Sequence, residues 1–238
     1  MRRVLPILLP ALALPLAAAK PLPLAQRLQQ VLRLPEADLA RLQADLATAP
    51  DRPARAYWQA LVAYARLGQA RDPAQGAAFL AEGLARLEGR TDAESLALEG
   101  SLCGMAIGLH PEQAMELAPR ALDCFRRARQ ADPGNPRVRF FEAVHQFHTP
   151  EAFGGGPGVA LPLLAAALQR ADREAPPADP WRPAWGKVEC LAWLALAEAK
   201  TGDRDSARKH LVRCLSLDPG YGFAHQFVEP LLNAGGKP

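Results

Sequence analysis

The sequence predicts an all-α protein: about four helical hairpins in series, with capping helices at either end. Three observations carry this. Alanine and leucine dominate while β-branched residues are sparse, which favours helix throughout. No stretch shows the strict apolar and polar alternation of a half-buried strand. Finally, "ARQADPGNP" (128–136) and "CLSLDPGYG" (214–222) share a helix stop in which Asp-Pro opens a turn. Upstream of those prolines, Ala121, Phe125, Ala128, Pro133 and Ala207, Leu211, Cys214, Pro219 repeat a small, large, small, proline pattern at identical offsets.

Taken in chain order, residues 1–19 read as a secretory signal peptide. "MRRVLPILLPALALPLAAAK" has a basic start, an apolar run and a small-residue end, so cleavage is expected after Ala19. The run from Val4 to Ala19 is interrupted by Pro6, Pro10 and Pro15 and falls short of the roughly 20 apolar residues a membrane span requires. No later stretch reaches that length, so no stable membrane span is expected after signal removal, and the protein should be periplasmic or secreted.

Residues 20–52 should supply N-terminal capping helices, with Leu39, Leu42 and Leu46 at helical spacing. Hairpin repeats then occupy 53–219. The first places Trp58, Leu61 and Tyr64 on one helix, turns at Gly68, and continues through Gly76, Leu80 and Gly83. The second spans about 92–132 and carries an insertion, "HPEQAMEL" (110–117), between its helices. The third starts with "RVRFFEAVHQFH" and reaches its second helix, marked by Ala160, Leu164 and Ala167, only after a triple glycine. A proline-rich connection (174–186) leads to the fourth, with Leu191, Leu194 and Ala195, a turn at Gly202-Asp203, then Ala207, Leu211 and Cys214. The last segment, 220–238, should be a C-terminal capping helix and tail, because the ends of such an array need covers.

This pattern resembles the tetratricopeptide repeat (TPR), a helix-turn-helix unit of about 34 residues whose pairs stack into an α-solenoid. It departs from the family at Glu198, where an aromatic is usual. "FHTPEAFGGG", followed by "WG" opening the next helix, is similar to exported bacterial TPR-like families, including the partner subunit of periplasmic TRAP-type transport systems. That resemblance covers about 130–220. It implies a binding partner and supplies no catalytic residue.

Formal charge is +3, falling to +1 once Arg2 and Arg3 leave with the signal, and no concentrated basic face suggests nucleic acid. The four cysteines allow three pairings. Cys190 and Cys214 each lie 12 residues from Gly202, and Cys103 and Cys124 flank their own turn, so spacing favours Cys103 with Cys124 and Cys190 with Cys214. The alternative is four small buried apolar residues.

Residues with potential chemistry give little support to catalysis. "FGGGPGVA" lacks the lysine and hydroxyl of a phosphate-binding loop, so it reads as a turn in which glycines take positive φ and Phe153 plugs the core. His145 and His148, flanked by Glu142 and Glu151, share a helix face, but metal binding is set below a role at the helix end or in a polar groove. No serine sits in a nucleophile elbow. Trp181 and Trp185, held by prolines, are either surface anchors or a seal between the third and fourth hairpins. The sequence-based conclusion is an exported, non-enzymatic scaffold without cofactor or metal, binding a protein or peptide of the cell envelope on a concave surface. Candidate contacts are His145, His148, Phe153, Trp181 and Trp185; Trp181→Ala is expected to weaken a partner with little loss of folding. The alternative is a periplasmic small-molecule binding or transport-accessory protein.

Overall fold

The computed structural model describes residues 22–234, so the signal peptide expected over 1–19 lies outside them. Among the described residues the protein is all-helical, with no strand. Helix α1 (Leu24–Leu28), a 3-10 turn (Val31–Arg33) and α2 (Glu36–Thr48) precede four hairpins. These are α3 (Arg55–Leu67) with α4 (Pro73–Leu87), α5 (Ala93–Leu109) with α6 (Ala114–Ala131), α7 (Pro136–His148) with α8 (Pro157–Ala171), and α9 (Lys187–Thr201) with α10 (Arg204–Leu217). A π-helical turn (Ala224–Val228) and α11 (Glu229–Asn233) pack against the last hairpin. The hairpins associate in chain order: α4 on α5, α5 on α7, α8 on α9. Among the described residues no helix is long and apolar enough to cross a membrane.

Local chemistry sets the helix boundaries. Asp72, Asp92, Asn135 and Asp203 each accept a backbone N–H of the first turn they precede, at 2.8 to 3.1 Å. Pro73, Pro136 and Pro157 fill first helical positions, where a missing N–H costs nothing. The segment 110–117 is less of an insertion than the sequence suggests, since a 3-10 turn (Pro111–Gln113) runs directly into α6.

Small residues let the helices approach. A Cβ on Gly83 would meet Leu102 at 3.0 Å, and one on Gly100 would meet the Ala121 carbonyl at 3.1 Å. Glu198, the departure from the TPR pattern, has a structural role: it is buried and bonds His210 Nδ1 across the α9/α10 hairpin at 2.8 Å.

The triple glycine makes the turn into α8. Gly154 and Gly156 take φ of +80° and +106°, and a side chain on Gly155 would collide with Thr149. The Gly156 N–H donates to the Gln146 carbonyl at 2.8 Å, closing the loop onto α7. Phe153 does not plug the core. It is 81% exposed, because the 3-10 turn Glu151–Phe153 carries it outward.

The proline-rich connection packs inward. Trp181 is 8% exposed and Trp185 3%. The Trp58 indole N–H donates to the Trp181 carbonyl at 2.8 Å, and the Trp185 indole donates to the Tyr57 hydroxyl at 3.1 Å. Gln29, from the N-terminal cap, bonds the backbone of Pro180, Arg182 and Ala184. Both tryptophans therefore seal the fold, and the expectation that Trp181→Ala spares folding is corrected: its ring is enclosed and its backbone anchors α3.

All four cysteines are free, buried thiols, so neither pairing favoured by spacing is present. Burial pushes the thiol of Cys103 up to about 11 and those of Cys124 and Cys214 to about 12, and raises Cys190 well above its ordinary value. At neutral pH all four stay protonated and are poor nucleophiles.

Candidate functional site

The candidate site grows from the end of α7. His145 and His148 are three residues apart and so share a face, as the sequence indicates. Helix α5 gives His145 its place. Gly104 is close enough that a Cβ there would lie 2.6 Å from His145 Nδ1, so the ring rests directly on the α5 backbone. On its other side the ring packs against Phe125 of α6, with centroids 5.2 Å apart.

His148 continues the surface. It lies edge-on to Phe147 at 5.2 Å and to Trp193 of α9 at 5.5 Å. Trp193 in turn meets Phe223 at 4.8 Å, and Phe223 meets Tyr221 and Phe227 at 6.0 and 5.1 Å. Trp193 and Phe223 are half-buried, while His148 and Phe227 are exposed. The result is a continuous aromatic face built from three elements far apart in sequence: α7, α9 and the C-terminal segment.

Carboxylate neighbours separate the other three histidines from these two. His210 and His225 hold carboxylates at 2.8 and 2.9 Å, and His110 lies 3.4 Å from Glu112. Among the described residues, the rings of His145 and His148 bond to no protein group. Desolvation lowers both pKa values, assisted for His145 by His148 and for His148 by Lys200. Although His148 keeps an exposed edge, its aromatic neighbours remove enough water to disfavour the cation. Both rings are therefore neutral at pH 7, each with an unshared nitrogen pair.

Those nitrogens belong to no protein-made metal cage. Among the described residues no three or more His, Cys, Asp or Glu side chains are grouped to hold an ion. Glu142, a neighbour in the sequence pattern, is committed to Arg129 and to Arg139.

Gly104→Ala tests the seat of His145. The added Cβ should push the ring off α5 into water and return its pKa toward about 6.5, read by NMR titration. An unchanged pKa would contradict the close approach.

A depression of about 510 Å³ lies between α8, α9 and α10, lined by Leu161, Leu168, Leu194, Glu198, Asp203 and His210. Its charged groups are occupied: Glu198 by His210, Asp203 as the cap of α10, and Asp172 by Arg213 and Lys187. It offers an apolar trough whose charged groups are already paired or capping, and we place the site at the aromatic face.

Of the five residues expected to contact a partner, the structure brings His145 and His148 together, leaves Phe153 alone on the surface and buries Trp181 and Trp185. Trp193, Phe223 and Phe227 were missed. The available signal was Trp193 in "LAWLALAEAK", the one aromatic on a helix otherwise built of Ala and Leu with few polar residues.

No protein-family model and no curated protein matches the chain. Among solved structures, the HusA haemophore from Porphyromonas gingivalis is similar, with a TM-score of 0.62 and 23% sequence identity over 75% of this chain and 92% of that one. At that identity the likeness is one of fold, and it extends the all-helical assignment over most of the chain.

Proposed function

We propose that the protein is an exported, non-enzymatic carrier whose TPR-like hairpins present the His148, Trp193 and Phe223 face to a flat, hydrophobic, metal-bearing macrocycle of the porphyrin class. The observation that carries this reading is the pairing of two neutral, unbonded imidazoles with a continuous wall of rings. Rings of this kind stack on a planar π-system, and a neutral imidazole is a common axial ligand to haem iron. The fold likeness to a haemophore supports the same ligand class. An absence of catalysis fits the protonated, buried thiols and the carboxylates committed to ion pairs.

Titration with ferric haem, followed by its main visible absorption band, tests the proposal. The wild type should bind at one site with a histidine-ligated spectrum, and the His145→Ala/His148→Ala variant should lose that spectrum and at least about tenfold in affinity, the equivalent of about 1.4 kcal/mol. Binding should also weaken with acidity. Both histidines have folded pKa values below the usual 6.5, so ligation is complete above that value and is lost as pH falls through the lowered folded values. Identical spectra for wild type and double variant would exclude these ligands.

A polypeptide partner is the second reading. It is favoured by Met115 and Leu122, exposed seven residues apart on one face of α6. Met115→Glu/Leu122→Glu should abolish co-purification of such a partner while leaving haem titration intact.

A further inference from the structure

We propose that Lys200 anchors a carboxylate of the bound macrocycle, making the preferred ligand an anionic, propionate-bearing tetrapyrrole rather than a neutral ring. The inference rests on the porphyrin-class reading and narrows it. Lys200 stands seven residues after Trp193 on α9, so the two share a face, separated by a rise of about 10.5 Å along the axis. Trp193 faces His148, and Lys200 is near enough to His148 for its charge to act on that ring. Ligand nitrogen, stacking ring and ammonium thus border one surface.

Lys200 is also exposed, and among the described residues it pairs with no carboxylate. Neighbouring cations are committed elsewhere. Arg204, the next cation along the chain, donates to the Leu232 carbonyl at 2.6 Å, while Lys187 and Arg213 hold Asp172 at the opposite end of α9. A macrocycle centred on His148 and lying against Trp193 would carry its edge carboxylates toward this ammonium. A lysine there acts as a flexible point charge, suited to a side chain that swings on the ligand.

The test compares iron mesoporphyrin, which has two propionates, with its dimethyl ester, in the same mild detergent and for wild type, Lys200→Gln and Lys200→Arg. Esterification should weaken wild-type binding by about fivefold, the size of one half-exposed ion pair. Lys200→Gln should bind the diacid about fivefold more weakly, bind the ester as wild type does, and show no further loss on esterification. Lys200→Arg should restore the preference for the diacid. Because the side chain is exposed, thermal melting should not change.

If wild type prefers the diacid but Lys200→Gln preserves that preference, the Lys200 assignment is overturned while the porphyrin reading stands. If wild type binds both ligands equally, the anionic-ligand inference fails by itself. If wild type binds neither, both readings fall together.

Discussion

Arg137→Ala should destabilise the protein by about 3–5 kcal/mol in urea unfolding at pH 7, the cost typical of breaking a buried ion pair from one side. Arg137 is 1% exposed. Its guanidinium donates to Glu94 Oε1 of α5 at 2.6 Å, to both oxygens of Glu174 at 2.7 Å, and to the Trp185 carbonyl at 3.2 Å. Burial opposes its charge, yet the bonds to Glu174 and Glu94 hold its pKa above the ordinary value. For Glu94 the balance falls the other way: desolvation raises its pKa although Arg137 and Asn135 pull it down. The network therefore contributes more to position than to net stability, joining α5, α7 and the connection that carries Trp185. Removing the cation alone leaves the largely desolvated Glu94 carboxylate without its ion-pair partner.

The pH dependence fixes the sign. A carboxylate whose folded pKa lies above its unfolded value favours folding at low pH, and that contribution is lost as pH rises through the folded pKa. The Arg137→Ala deficit should consequently be smaller at pH 5 than at pH 8. Adding Glu94→Gln should recover part of it. An equal deficit at both pH values would mean that lost packing, not an orphaned charge, is responsible.

Trp185→Ala should cost a similar 3–5 kcal/mol, by creating a large cavity. The indole stands edge-on to Phe140 and Phe141 of α7 at 5.6 and 5.4 Å and donates to Tyr57 of α3. Truncation would remove those contacts and leave a buried phenol without its partner. Trp185→Phe retains much of the volume and should lose only about 1–3 kcal/mol, chiefly the unsatisfied hydroxyl. Urea unfolding of both variants distinguishes this from a surface role, for which both losses would lie within about 0.5 kcal/mol.

The hairpins were legible because their signals are local. A Pro after an Asp, a glycine past a helix end and small residues every three or four positions each act within a few residues, and the structure places helices where they indicate. The proline connection was legible only as an extended segment. Its burial depends on Gln29, more than 150 residues away in sequence, and on Trp58, 123 residues from Trp181, which no local pattern links to this segment. Arg137 reads as an ordinary surface charge until Glu94 and Glu174 converge on it. The site was half visible: His145 and His148 form a local pair, but their setting comes from Gly104, Trp193 and Phe223. Each of those alone reads as core packing, and only the stacking of α5, α7, α9 and the C-terminal segment joins them.

Gallium protoporphyrin, a diamagnetic stand-in for haem, allows the site to be mapped by NMR of histidine and tryptophan side-chain nitrogens in the full chain. The ring signals of His145 and His148 and the Trp193 indole should shift together at one equivalent, while His210 and His225 stay in place. Shifts centred on His210, beside the depression between α8, α9 and α10, or no shift at saturating ligand would contradict the account.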